Sequence, residues 1–473
     1  MRRTLVMKFG GSTVGTTTAL TQVISIILHE YERWDRLIVV ASALEGVTDA
    51  LIEAAHLAQL SNRRGYRRIV ATIRTRHLAL VEKLPLSKEE RSDLETDIDQ
   101  LLFDMLDVCQ GLSHAPDINS GEKIDQIIGV GERLTTRIIA ALLRENDVRG
   151  VAVDATDFIV TDNTYGNAKP LLPETCQKVN HYLLPMLDRQ IVPVITGFIG
   201  ATSDGKPTTL GRGGSDYTAS ILAICMDANE VWMWTDVDGL MSTDPREVDD
   251  AHVIPELSYS EVSEMAYFGA RILHSRMVKP LRERNIPLWI KNVFKPQQPG
   301  TYVANHVNQN GTNRIKAATM IHGVGLYAEQ SGPLIGITEL VNQTLDEVIG
   351  TQADVMITAQ SSNHTFMCFV IPTSAGPDAL HQMQNALSSR LLGEFQAWQV
   401  KPVSILSVIG NGLDILPRLT ARVLMALDDI QILALSQGPS HCSLSIVVAP
   451  EDADKALRRI HALTSVTPSD QVS

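Results

Sequence analysis

No run of the sequence approaches the roughly 18 to 20 apolar residues that a helix needs to cross a bilayer. Only four uncharged residues separate Arg3 from Lys8, too few for the apolar segment of a signal peptide. Clustered Lys and Arg are also missing. With 41 basic and 54 acidic residues the net charge is −13, so no surface built to neutralise phosphate backbones, and no nucleic-acid partner, is expected. Cysteine is scarce: Cys109, Cys176, Cys225, Cys368 and Cys442 lie at least 49 residues apart, and no pair forms a CxxC or a metal knuckle. Five reduced, mostly buried thiols are expected. These absences point to a soluble cytoplasmic protein without a membrane partner.

Several catalytic signatures are missing too. GxxxxGK[ST] does not occur, and neither do HExxH, GxSxG or the HRD set of protein kinases. Gly129-Val130-Gly131-Glu132-Arg133-Leu134 lacks the third glycine of a dinucleotide loop, which argues against a Rossmann site.

What remains is an ordinary globular composition, 44% hydrophobic and 20% charged over 473 residues, enough for about three compact units. Leu5–Phe9 reads as a strand, Thr16–Glu32 as an amphipathic helix and Leu37–Ala41 as the next strand. This alternation predicts βαβ units and an α/β fold, with a mainly parallel sheet sandwiched by helices. Residues from about 50 to 112 read as a helical excursion with breaks at Ser61-Asn62 and Leu84-Pro85. Strand patterns return at Val151–Val153, Ile191–Ile195, Glu230–Thr235 and Pro287–Ile290. Turn-forming residues cluster between Pro296 and Asn313. Beyond them two stretches, near 319–370 and 404–448, share a strand–helix–strand rhythm. The expected domains are therefore 1–295, a linker 296–318, and two α+β repeats at 319–395 and 396–473.

Two glycine-rich turns carry the chemistry. Lys8-Phe9-Gly10-Gly11-Ser12-Thr13 puts a lysine at a strand end and glycines before a helix, so backbone N–H groups can approach an anion while Lys8 supplies full charge. A plain βα turn with a surface lysine has the same pattern. Gly211-Arg212-Gly213-Gly214-Ser215-Asp216 repeats the idea with a planar guanidinium suited to carboxylate or phosphate, although Ser215 or Asp216 also fits a simple helix cap. Trp234-Thr235-Asp236-Val237-Asp238-Gly239-Leu240 ends a strand and leads to Thr243-Asp244-Pro245-Arg246. Its carboxylates suit the rim of a phosphate site or an ordinary turn, and EF-hand spacing is not met.

Taken in order, these segments, with Ser42-Ala43-Leu44-Glu45-Gly46-Val47-Thr48-Asp49 and Gly131-Glu132-Arg133-Leu134, resemble the aspartate kinase (aspartokinase) family across residues 1 to about 295. The C-terminal repeats resemble its paired ACT regulatory domains, best at Ser407-Val408-Ile409-Gly410 and Ser436-Gln437-Gly438. The resemblance implies an amino-acid kinase fold with two ferredoxin-like ACT domains. It also implies ATP-dependent phosphorylation of the β-carboxylate of L-aspartate, with Mg²⁺ held mainly by the ATP phosphates and not by a direct protein site.

Carried over by position, Lys8 contacts the transferring phosphate and Asp216 orients it. Gly10, Gly11, Ser12, Gly213 and Gly214 form the phosphate cradle. Ser42, Thr48, Glu132, Arg212 and Ser215 hold the amino acid, with Glu132 on its ammonium and Arg212 on a carboxylate. Thr235, Asp236, Gly239, Met241, Asp244, Arg246 and Arg271 border the nucleotide. Gln330 and Ser331 suit an effector loop for lysine, threonine or both, or an ordinary turn, and exposed sheet edges favour a homodimer. Two departures stand out: Met241 replaces a usual tyrosine, and Arg271 replaces a usual lysine in Gly269-Ala270-Arg271-Ile272-Leu273-His274-Ser275. The competing readings are another carboxylate or carbamate kinase of the same superfamily, and a catalytically silent ACT-type sensor.

Overall fold

A computed structural model describes residues 2–115, 120–267, 275–306, 314–329, 335–349, 354–370, 378–391, 398–413, 417–437 and 440–464. The chain divides into two compact units. The first takes residues 1–240, 255–259 and 272–307, and the second takes 241–254, 260–271 and 308–473.

The first unit opens with β1 (Thr4–Phe9), α1 (Gly11–Val14), α2 (Thr17–Tyr31) and β2 (Arg36–Ala41). The Thr16 side chain caps α2 by accepting from the Ala19 N–H, and Leu20, Val23, Ile24 and Ile27 recur at helical spacing to form its buried stripe. Next come α3 (Val47–Gln59), α4 (Arg63–Glu82) and α5 (Lys88–His114), the expected helical excursion. Its two breaks are the caps Asn62, which accepts from Gly65 N, and Ser87, which accepts from Glu90 N two residues after Pro85. The unit continues with α6 (Ser120–Ile128), α7 (Val130–Glu145), β3 (Gly150–Val153), β4 (Val160–Thr161), α8 (Leu172–Leu187) and β5 (Val192–Thr196). Then follow β6 (Ile199–Thr202), β7 (Pro207–Thr209), α9 (Gly214–Cys225), β8 (Glu230–Thr235), β9 (Glu256–Ser258), α10 (Tyr259–Tyr267), α11 (Ser275–Glu283), β10 (Leu288–Asn292) and β11 (Thr301–Ala304), with α10 crossing into the second unit.

Eight of these strands form one sheet in the order β3-β5-β2-β1-β8-β10-β11-β9, parallel except between β10 and β11. In register, Phe9 lies between Ala41 and Trp234, so β1, β2 and β8 end at one level. The chain leaves the adjacent strands β1 and β8 in opposite directions across the sheet, toward β2 and toward β10, and such a switch point is where open α/β sheets bind ligands, outside the carboxyl ends.

The second unit holds β12 (Ile315–Ala328), α12 (Ile335–Ile349), β13 (Asp354–Gln360), β14 (Thr365–Val370), α13 (Ala379–Arg390), β15 (Trp398–Gly410), α14 (Pro417–Ala426), β16 (Ile432–Gln437), β17 (Ser443–Val448) and α15 (Pro450–Ala462). One antiparallel sheet, β13-β14-β12-β15-β17-β16, carries them. The expected repeats are not laid end to end. β12 and β15 run antiparallel along nearly their whole length, and each serves two cores. Val324 and Leu326 of β12 pack with α12 and α13, whereas Ile315 and Ala318 of the same strand pack with Leu406, Val408 and α15. One βαββαβ unit, β12 to β15, is thus nested within another that uses β15, α14, β16, β17, α15 and the start of β12.

Two further expectations change. The stretch 296–318 is not merely a linker, because Thr301–Ala304 pairs with β10 and β9 and residues from Ile315 begin β12. Nor does 1–295 form one body: Val248 joins the core of Ile315, Leu406 and Leu457, and Ser242 Oγ lies 2.8 Å from His461 Nε2 within the second unit. The cysteines are also not all free. Packing of α8 on α9 brings together Cys176 and Cys225, which form a disulfide, while Cys109, Cys368 and Cys442 are free and buried. The 49-residue separation hid the pair from short-range motif reading.

A cross-link closing a loop of 49 residues restricts the unfolded chain by about 3 to 4 kcal/mol. Urea denaturation with and without dithiothreitol is expected to show that loss on reduction. A Cys176→Ser variant with an unchanged midpoint under oxidising conditions would contradict the cross-link's contribution.

Candidate active site

The site grows from the ends of β1, β2 and β8. After Phe9 the chain turns through Gly10, whose carbonyl accepts from the N–H and the hydroxyl of Thr13 as α1 begins. Gly11 packs so closely on the next loop that a Cβ would lie 2.9 Å from the Ala43 carbonyl oxygen, and a Cβ on Gly10 would approach Lys8 Nζ to 3.5 Å. Ser42 N donates to Phe9 O, tying the loop after β2 to the one after β1. Ser12, Ser42 and Thr48 are half-buried.

Lys8 Nζ lies 2.5 Å from Asp216 Oδ1, with side chains 14% and 19% exposed. Asp216 stands in the first turn of α9, where the helix dipole favours a carboxylate. The preceding turn requires glycine. Gly211 and Gly213 have φ of +75° and +70°, a region in which a Cβ is strained, and a Cβ on Gly211 would also sit 2.6 Å from Asn167 Oδ1. Ser215 and Gly214 are buried and Arg212 is exposed.

Glu132 enters from α7. Its neighbour Gly131 lies inside the helix, where a Cβ would meet the Ala43 Cβ at 2.7 Å, so this glycine lets α7 press on the loop after β2. Glu132 Oε1 then accepts from Ala43 N at 3.3 Å, while Oε2 is buried without a hydrogen-bond partner among the described residues. Burial pushes the Glu132 carboxyl up from 4.5 to about 8, against the lowering effects of the Ala43 N–H and the charge on Lys8. The carboxyl is therefore mostly neutral at pH 7 until a cation joins it.

Of the residues expected at the nucleotide, Thr235 ends β8 and Asp236 and Gly239 lie just beyond it, with Thr235 Oγ1 donating to Asp236 Oδ1 at 3.1 Å. Met241, Asp244 and Arg246 belong to the second unit, where Asp244 and Arg246 pair at 2.6 Å. Arg271, Gln330 and Ser331 lie outside the described residues.

Several supporting contacts had no sequence signal, although Asp238 itself stands in a motif the sequence offers. Asp238 accepts from Asn292 Nδ2 at 2.6 Å and pairs with Lys295 at 2.7 Å, which holds the loop after β8 and keeps the Asp238 carboxyl below its ordinary range. Buried Asp125 accepts from Gly166 N, Thr209 N and Thr209 Oγ1, fixing β7 just before the glycine turn. Its partners lie 41 and 84 residues away, beyond any local pattern.

The arrangement offers a cation among glycine N–H groups and a buried acid awaiting a positive partner. Among the described residues no group of three or more His, Cys, Asp or Glu could hold a metal ion. No helix among them is long and apolar enough to cross a membrane.

Comparison with known proteins gives concordant findings. Residues 3–292 match the amino acid kinase family, and residues 406–463 match an ACT domain. The chain is 30% identical over 472 residues to the chloroplastic bifunctional aspartokinase/homoserine dehydrogenase 1 of Arabidopsis thaliana, covering 97% of this chain and 50% of that protein. It thus spans about half the length of the bifunctional relatives it matches. With the lysine-sensitive aspartokinase 3 of Escherichia coli (strain K12) identity is 28%, over 98% of this chain and 99% of the relative. The structure of E. coli aspartokinase III in complex with lysine and aspartate (T-state) superposes with a TM-score of 0.79 at 26% identity, covering 98% and 99% of the two chains. The same enzyme with aspartate and ADP (R-state) gives 0.74 at 27%, covering 97% and 99%.

Glu132 has a folded-state pKa above its ordinary value. Its stabilising contribution is complete below about pH 4.5 and is lost as pH rises to about 8. Glu132→Gln, which does not titrate, is expected to match the parent in stability near pH 5 and exceed it by a few kcal/mol at pH 8. Parallel denaturation curves at the two pH values provide the check; an equal difference at both would remove burial as the cause.

Proposed function

The chain belongs to the amino acid kinase family, and from that premise we propose that it is an aspartate kinase. It transfers the γ-phosphoryl group of ATP to the β-carboxylate of L-aspartate, giving 4-phospho-L-aspartate, the first step toward lysine, threonine, methionine and isoleucine. The observation that carries this reading is the pairing of opposites at one set of strand ends. Lys8, held by Asp216, stands ready for phosphate, and Glu132, buried with a free oxygen, stands ready for an ammonium. The relatives' named substrate and the aspartate, ADP and lysine in the E. coli structures support the same reading.

A carboxylate acceptor is already ionised at neutral pH, so the reaction needs no strong base. The obstacle is electrostatic. Two like charges about 4 Å apart repel by roughly 4 kcal/mol at an effective dielectric near 20. In this proposal Lys8 and the N–H groups around Gly10, Gly11, Gly213 and Gly214 offset that repulsion as charge spreads over the phosphoryl oxygens. Gly11 lets the loop after β1 close on the loop after β2, where a Cβ would lie 2.9 Å from the Ala43 carbonyl oxygen, and the exposed backbone N–H groups of such a turn suit a nucleotide phosphate. Bound Mg²⁺ supplies further charge neutralisation from the ATP phosphates. Ser12 closes the cradle, while Ser42, Thr48 and Ser215 line the amino-acid pocket. Arg212 meets a substrate carboxylate, and Thr235, Asp236 and Gly239 border the nucleotide.

The second unit supplies feedback by lysine, threonine or both in this reading, supported by its ACT match and by lysine in the E. coli relative. A homodimer and a cytoplasmic location complete it.

Trapping the acyl phosphate with hydroxylamine is expected to yield aspartyl hydroxamate in step with ADP release. Product from glutamate or N-acetylglutamate but not aspartate would overturn the assignment. Lys8→Ala is expected to lower turnover by at least about 100-fold; an unchanged rate would take Lys8 out of the mechanism.

Since an ammonium requires ionised Glu132, the KM for aspartate is expected to fall as pH rises from about 6 to about 8, by up to roughly tenfold per unit, and then level off. Steady-state kinetics of the parent and Glu132→Gln would show it, with the variant's profile flat. A flat parent profile would separate Glu132 from the ammonium contact.

A further inference from the structure

Four of the chain's five tryptophans, Trp34, Trp232, Trp234 and Trp289, gather on the first unit, the last three around one cation and Trp34 edge-on to Trp232. Lys291 Nζ lies 5.2 Å from the Trp232 ring centroid, 5.6 Å from Trp234 and 5.4 Å from Trp289, and donates to Pro299 O at 3.2 Å and Gln298 O at 3.5 Å. Beside this cluster a cavity of about 580 Å³ opens, lined by Trp34, Trp232, Trp289 and Lys291 with Arg3 and Arg33. That volume falls within the range of small-molecule sites. The cavity lies near the start of β8 and the end of α2, and nothing in the proposed reaction uses it.

Its charge and shape limit what it can take. The two acids at its wall are already committed: Glu230 accepts from Trp232 Nε1 at 2.6 Å, and Glu30 accepts from Trp34 Nε1 at 3.0 Å and from Arg33 at 3.3 Å. Three cations face these two carboxylates, leaving an excess of positive charge. Arg3 stacks 5.2 Å from the Trp34 centroid and donates one nitrogen to Arg33 O, while the Arg33 side chain is 61% exposed, so both guanidiniums keep donors free. A quaternary ammonium, the usual guest of an aromatic box, would meet Lys291 already seated against the rings. Flat indole walls instead suit a ring.

We propose that this cavity binds a small planar aromatic anion, its ring against the indoles of Trp34, Trp232 and Trp289 and its carboxylate or phosphate on Arg3 and Arg33. The two anion chemistries share one recognition logic, and the test separates them.

Calorimetric titration of the full chain with 2-naphthoate and with 2-naphthyl phosphate, using 2-naphthamide and trimethyl(2-naphthyl)ammonium as uncharged and cationic controls, tests the site. At least one anion is expected to bind with a Kd at or below about 1 mM, with the amide at least roughly tenfold weaker. Tighter binding of the naphthyl phosphate would assign an aromatic phosphate as the guest, and tighter binding of naphthoate an aromatic carboxylate. Arg33→Glu, at an exposed position that leaves the core intact, is expected to weaken the anion at least roughly tenfold, and Trp289→Ala to do the same. No binding of either anion, equal binding of the ammonium, or an Arg33→Glu chain that binds as the parent does would each overturn the proposal.

Discussion

A lysine ammonium and an aspartate carboxylate 2.5 Å apart fix the charge at the end of β1, and the rest of the site is arranged about that pair. Lys8 ends a strand flanked on both sides by parallel neighbours of the same register, so its backbone cannot drift. Asp216 is held equally firmly, in the first turn of a helix whose approach is set by two glycines at positive φ. A long, flexible lysine side chain is thereby kept near one direction. In the proposed reaction that cation would sit between two anions, and a carboxylate on a rigid helix end keeps it from collapsing elsewhere.

Close backbone approach is the second recurring constraint. Gly11 and Gly131 both press on Ala43, one from the loop after β1 and one from within α7. That double contact brings a carboxylic acid to a position where water is excluded, with one of its oxygens left without a partner. Burial raises the energy of the charged acid, and an arriving ammonium relieves it. In the proposed reaction the same penalty would favour a zwitterion over a simple dicarboxylate, because an uncompensated buried charge is costly.

The second unit obeys a different logic. β12 and β15 thread two hydrophobic cores, so a change of twist or spacing in one core is felt along the strands that also form the other. Two independent repeats joined by a tether would lack that mechanical link. On the opposite face of the same sheet Phe366, Cys368, Val403, Ile405 and Val447 form a third cluster, which leaves the shared strands buried on both sides.

Much was legible in the linear chain. Alternating β and helical periods, the breaks at Ser61-Asn62 and Leu84-Pro85, and two glycine-rich turns near Lys8 and Asp216 are local features, since helix ends and turn geometry depend on neighbours a few residues away. They sufficed for the α/β class, the helical excursion and the catalytic candidates. Tertiary structure decided whatever depends on partners far along the chain. It joined Cys176 to Cys225, seated Asp125 under Thr209 and Asp238 against Asn292, and assigned Met241–Ile254 to the unit built by residues from Ile315 onward. It also made two repeats share strands, because hydrophobic alternation tells which side of a strand is buried but not which core lies beneath each half. The tryptophan-lined cavity belongs to this group as well: Trp34, Trp232 and Trp289 are scattered in sequence, and only the pairing of β8 with β10 and the end of α2 brings their rings to one wall.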